Sequence, residues 1–98
     1  MEKRRPHCTL VAVKALVASG KVRATLSALE GAATLDMDFA GIVSVVMELQ
    51  MADFFKSMTT YSDHRLWQDV YRPQTPQGAV YLKLAVVDDV LIVSFKGL

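Results

Sequence analysis

The sequence predicts an α+β domain in which helices pack on one face of an antiparallel sheet. Three observations carry this. Capped, periodic apolar segments fill the first half of the chain. Alternating β-branched and aromatic runs fill the second half. At 98 residues and 52% hydrophobic, the chain suits one core and one domain spanning 1–98. Such a succession of helices and then strands argues segregated layers.

Each element has a local cause. Thr9 can cap a helix running to about Ser19, with Gly20 ending it, and Leu10, Val13, Leu16 and Val17 form its stripe. Lys21 to Thr25 reads as a short strand. Ser27 and Glu30 stand three apart, as a capping box requires, for a helix from Ala28 to about Thr34. Asp38 caps a third helix, stapled by Met37 and Ile42 and buried through Phe39, Ile42, Val43, Val46 and Leu49. Strands are predicted over Phe54 to Thr60, Leu66 to Arg72, Ala79 to Val87 and Val90 to Phe95. Pro73, Pro76 and Gly78 break off the second of these.

The last hairpin is predicted to turn on Asp88-Asp89. Val87 then faces Val90, Lys83 faces Ser94 and Tyr81 faces Lys96. One face collects Val80, Leu82, Leu84, Val86, Leu91, Val93 and Phe95, which is the side for the helices. The other collects Tyr81, Lys83, Ser94 and Lys96. A solvated face with snorkelling lysines fits that pattern. So does an anion site in which two ammonium groups hold a phosphate beside a phenol.

Charge narrows the function classes. The net charge is only +1, so there is no bulk signature of a nucleic-acid binder. The first 23 residues carry six bases against Glu2, enough to steer a polyanion or simply to solvate a terminus. Lys14 interrupts the apolar run after this basic start, which argues against a signal peptide and for a cytoplasmic protein. No run is long enough to span a membrane. One cysteine, Cys8, excludes an internal disulfide, and two histidines show no metal-ligand spacing. Lys56, His64, Arg65, Gln68 and Arg72 can surround a phosphate. His64 can also serve as a base, or simply sit in a loop beside Asp63. Tyr61, Trp67 and Tyr71 can stack on bases, although Trp67 and Tyr71 equally suit the core.

The blocks Lys56-Ser-Met-Thr-Thr-Tyr-Ser-Asp-His, Trp67-Gln-Asp-Val-Tyr-Arg-Pro, Val80-Tyr-Leu-Lys and Asp89-Val-Leu-Ile-Val-Ser-Phe-Lys carry a specific resemblance. With Glu2-Lys-Arg, Val13-Lys14, Leu16-Val17, Ser27-Ala-Leu, Leu35 and Asp38-Phe39 they extend it over nearly the whole chain. The sequence resembles the motility quorum-sensing regulator toxins, MqsR, of type II toxin–antitoxin systems. That resemblance implies a microbial-ribonuclease fold shared with RelE toxins. It implies an mRNA interferase that cleaves at GC-containing sites such as GCU without a cofactor. It also implies neutralisation by an MqsA-type antitoxin with a zinc-binding domain and a helix-turn-helix domain, which alone touches operator DNA. Growth arrest, biofilm formation and persistence are the biology expected.

Family residues important for toxicity map onto Lys56, Gln68 and Tyr81. Arg72, Lys83, Lys96 and His64 join them here as RNA-binding candidates. The resemblance implies a tyrosine where Phe55 stands and allows a histidine where Asp88 stands. A non-catalytic module that binds RNA or protein through the same basic face is the rival class.

Overall fold

The computed structural model describes residues 1–98. In chain order the elements are β1 (Glu2–Lys3), α1 (Leu10–Ala18), β2 (Val22–Ala24), α2 (Leu26–Ala33) and α3 (Phe39–Met47). A short 3-10 turn, Met51–Asp53, leads into β3 (Phe54–Thr59), β4 (Trp67–Tyr71), β5 (Gln74–Thr75), β6 (Gly78–Val87) and β7 (Asp89–Gly97). The sheet order is β1-β3-β4-β6-β7-β2, with β5 paired to β6 at its end. The α+β class is as expected, and no helix is long and apolar enough to cross a membrane.

One pairing corrects the antiparallel expectation. β2 runs parallel to β7, with Val22 beside Val90 and Ala24 beside Ile92. No tight turn joins these two strands, so nothing local forces them to oppose. All other pairs are antiparallel.

Helix caps follow the local chemistry, with one change. The side chains of Thr9 and Asp38 accept from Ala12 N and Gly41 N. Gly20 adopts φ +83° after α1, and Lys21 N reaches back to Leu16 O, closing the helix end. The Ser27–Glu30 capping box does not form. Thr25, the residue leaving β2, caps α2 instead and accepts from Ala28 N. Its hydroxyl simultaneously donates to Val93 O, so β2, α2 and β7 meet at one side chain.

The core lies between the helices and one sheet face. Val13, Val17, Ala28, Ala32, Ile42 and Val46 meet Tyr71, Val80, Leu82, Leu84, Val90, Ile92 and Phe95. Phe39, expected inside, is exposed at 39%. α2 lies so close to β7 that a Cβ on Gly31 would overlap the Phe95 carbonyl oxygen. Only glycine permits that approach.

The last hairpin departs from the expected register and then returns to it. Asp88 alone turns the corner at φ +66°, so Val87 pairs with Asp89 and Val86 with Val90. This one-residue slip turns Val90 and Ile92 into the core, where Leu91 and Val93 had been expected. A bulge then makes Val93 the extra residue, because Leu84 pairs with Ile92 and Lys83 with Ser94. Beyond it, Tyr81 pairs with Lys96 as predicted.

Candidate functional site

The sheet face away from the helices gathers most of the candidate residues. Alternation along β4 turns Tyr71 and Asp69 toward the helices and Gln68, Val70 and Arg72 outward. Register then fixes the neighbours. Lys56 of β3, Val70, Lys83 of β6 and Ser94 of β7 form one continuous row. Tyr81 and Lys96 pair in the next row, and Arg72 follows directly after β4, one residue past the Tyr71–Leu82 pair. Gln68 lies opposite Met58 on the other side of the lysine row. Six of the seven candidates therefore share one face.

Burial shows how tightly the row is built. Val70 is 0% exposed although it points away from the core, between Lys56 and Lys83. Lysine stems are long enough to cover apolar surface while the charged head stays in water, and the register sets one on each side of Val70. Gln68 is also buried, and its Oε1 has no hydrogen-bond partner. An orphaned buried amide oxygen is costly unless a ligand or water satisfies it. Around the rim, the Arg72 guanidinium lies 3.8 Å from the Phe55 ring centroid, and Lys96 Nζ lies 5.7 Å from that of Tyr81.

Lys56 alone among these cations has an acidic partner. Its Nζ donates to Glu2 Oε1 at 2.6 Å. The hydrogen bond and then the charge of Lys56 hold the Glu2 carboxyl below its ordinary pKa. Glu2 reaches this position because β1 pairs with β3, Glu2 opposite Met58, so that Lys56 is its diagonal neighbour. Lys83, Lys96 and Arg72 form no ion pair and leave a positive surface.

His64 stands apart. It is exposed in the loop between β3 and β4, beside Met1, Thr59, Thr60 and Tyr61, at the opposite strand end from Arg72 and Tyr81. The sheet does not bring it to the lysine row, because the loop begins past Gln68. Tyr71 is fully buried in the core, where burial and then the Asp69 charge push its phenol pKa up. Trp67 stacks on His7 at 5.6 Å and carries Lys3 Nζ 4.2 Å from its ring. Neither aromatic is free on the open face. Tyr61 remains fully exposed. Arg65 pairs with Asp63 in the same loop, away from the site.

Sequence reasoning missed Glu2 as a member of this face. Its one signal was that it is the single acid in a basic leader.

An α+β domain presenting three unpaired cations and a phenol on an open sheet face is consistent with the RelE-like toxin architecture. The family described as the motility quorum-sensing regulator, toxin of MqsA, matches residues 5–97. The mRNA interferase toxin MqsR of Escherichia coli (strain K12) is 59% identical over 96 residues, covering 98% of each chain. This chain belongs to that toxin family.

Proposed function

We propose that this protein is a toxin endoribonuclease that cuts mRNA at GC-containing, GCU-like sites without a metal ion. The observation that carries the reading is the convergence of Lys56, Gln68, Arg72, Tyr81, Lys83 and Lys96 on one sheet face. The 59% identity to an mRNA interferase supports it. In the reaction the substrate's 2′-hydroxyl attacks the adjacent phosphorus in line and the 5′-oxygen leaves. The products are a 2′,3′-cyclic phosphate and a 5′-hydroxyl end.

Three tasks follow from that chemistry: accepting a proton, stabilising the charged phosphorane-like state, and protonating the leaving oxygen. Lys56 accepts the proton or supplies positive charge. Tyr81 protonates the leaving oxygen. Gln68 orients the phosphate or a base. Lys83, Lys96 and Arg72 hold the RNA backbone. His64 contacts the RNA only where the strand runs past Gln68 over the β3–β4 loop.

An MqsA-type antitoxin, zinc-binding and with a helix-turn-helix domain, would neutralise the toxin. Operator DNA is then touched only through that complex. The short edge strands β1 and β2 leave backbone groups that a partner strand can extend. A toxin–antitoxin complex without a shared sheet would refute that mode of binding. A cytoplasmic site of action, growth arrest, biofilm formation and persistence follow from the same reading.

The test is direct. The purified chain is incubated in EDTA with RNA containing GCU and with a control lacking it, beside Lys56→Ala and Tyr81→Phe proteins. The expected result is cleavage at defined positions with cyclic-phosphate ends, reduced about 10²–10⁴-fold in the Tyr81 variant. Intact RNA bound to folded protein would make this a binding module instead.

A further inference from the structure

The lysine row has no partner for the 2′-proton that is naturally unprotonated at pH 7. Lysine and tyrosine have ordinary pKa values near 10.4 and 10. A carboxylate is ready at neutral pH, and the open face holds one. Asp69 points to the helix side, where it accepts from His7 N and Cys8 N. Asp53 accepts from Gln50 N, Asp63 pairs with Arg65, and Asp89 pairs with Arg23 at the far turn. Glu2 is the carboxylate that reaches Lys56.

We propose that Glu2 is a catalytic residue of this face. Its carboxylate takes the proton of the attacking 2′-hydroxyl, while Lys56 stays an ammonium and stabilises the phosphorane. The inference rests on the ribonuclease reading above, and it resolves the role of Lys56 in favour of charge. The balance closes. The 2′-oxygen–phosphorus bond forms as its proton passes to Glu2. The phosphorus–5′-oxygen bond breaks as Tyr81 gives its proton to the leaving oxygen. Proton exchange with water then resets both side chains.

The placement is structural and specific. The Met1 ammonium donates to Thr59 Oγ1 at 3.3 Å, and Thr59 N donates to Met1 O at 3.0 Å. These bonds lock β1 onto β3 and set Glu2 diagonal to Lys56. The Glu2 side chain is still 55% exposed, so RNA can reach it. Its depressed pKa keeps it ionised throughout the neutral range.

Glu2→Gln tests the proposal, because the amide keeps the size and an acceptor for Lys56 but cannot take the proton. Single-turnover cleavage of GCU-containing RNA should fall about 10²–10⁴-fold. RNA affinity should hold or rise, since a negative charge leaves a cationic face. The acid limb of the wild-type pH–rate profile should vanish in the variant. An RNA with sulfur replacing the leaving 5′-oxygen needs no acid, so it should restore Tyr81→Phe but not Glu2→Gln.

If Glu2 merely positions or neutralises Lys56, Glu2→Gln cleaves at the wild-type rate or faster, which overturns the proposal. Rescue of Glu2→Gln by the sulfur substrate would overturn it too. Should Lys56→Ala and Tyr81→Phe be inactive while Glu2→Gln is active, only the Glu2 assignment fails. Wild-type protein that leaves RNA intact overturns the ribonuclease reading, and Glu2 with it.

Discussion

Asp69 ties the N-terminal segment to the sheet, so its loss should be felt in both stability and site geometry. The carboxylate is 2% exposed and accepts from His7 N at 2.9 Å and Cys8 N at 3.1 Å. A hydrogen bond to a charged group contributes about 1.5–3 kcal/mol. His7 is exposed, so its N–H regains water in Asp69→Ala, whereas Cys8 is half-buried. The net loss should then be about 2–4 kcal/mol, given those per-bond values. For a domain of this size that lowers Tm by roughly 10–25 °C. Urea unfolding monitored by circular dichroism measures the first quantity. Hydrogen exchange at the Thr59 amide measures the local one, because that N–H bonds Met1 O across the β1–β3 ladder. Lys3 and His7 packed on Trp67 work against complete release of the segment. A variant within about 0.5 kcal/mol of wild type, in the range of ordinary surface changes, with Thr59 still protected, would refute the reasoning.

Three other outcomes follow from single features. Gly31→Ala should cost about 1–3 kcal/mol by overpacking against the Phe95 carbonyl, despite alanine's better helix propensity, and a urea midpoint at or above wild type would contradict this. The Tyr71 phenol has its pKa raised in the fold, so its contribution is whole below an unfolded pKa of about 10 and declines as pH rises above it. Alkaline stability should therefore fall less steeply in Tyr71→Phe than in wild type, read from urea midpoints between pH 8 and 11. Replacing Arg72, Lys83 and Lys96 with glutamine should lower the salt slope of RNA binding by about 2, at about 0.7 per lost phosphate contact on single strands. Fluorescence anisotropy with RNA carrying a 2′-deoxy scissile nucleotide checks this without cleavage, and an unchanged slope would remove these cations from the interface.

The parts of this fold that depend on near neighbours were legible in the sequence. Thr9, Gly20 and Asp38 each act on backbone groups within a few residues, and all three behave as their chemistry dictates. The Ser27 cap failed for a nonlocal reason. Thr25 is fixed by Thr25 N donating to Ile92 O, so the helix starts where the strand ends. β1 has two residues and no periodicity to read, and the direction of β2 depends on a partner from the other end of the chain. The open face was partly legible, since Lys83, Tyr81, Ser94 and Lys96 alternate within one hairpin. Lys56 and Gln68 were legible as phosphate-binding candidates but not as members of that face, which depends on the β3–β4–β6 register, and Glu2 was hidden because its contact spans 54 residues.

The bulge at Val93 explains how a tight turn and an outward-facing Lys96 coexist. A one-residue corner at Asp88 puts Val90 and Ile92 into the core, which buries two β-branched side chains. Continued without interruption, that same register would point Ser94 and Lys96 toward the helices, since a one-residue slip exchanges the faces. The extra residue reverses the exchange, returns Phe95 to the core, and keeps Lys96 outward beside Tyr81. Val93 O is not left unpaired, because the Thr25 hydroxyl donates to it. The residue that caps α2 thereby also secures the kink that aims Lys96. Core packing and the outward direction of Lys96 are coupled through one threonine.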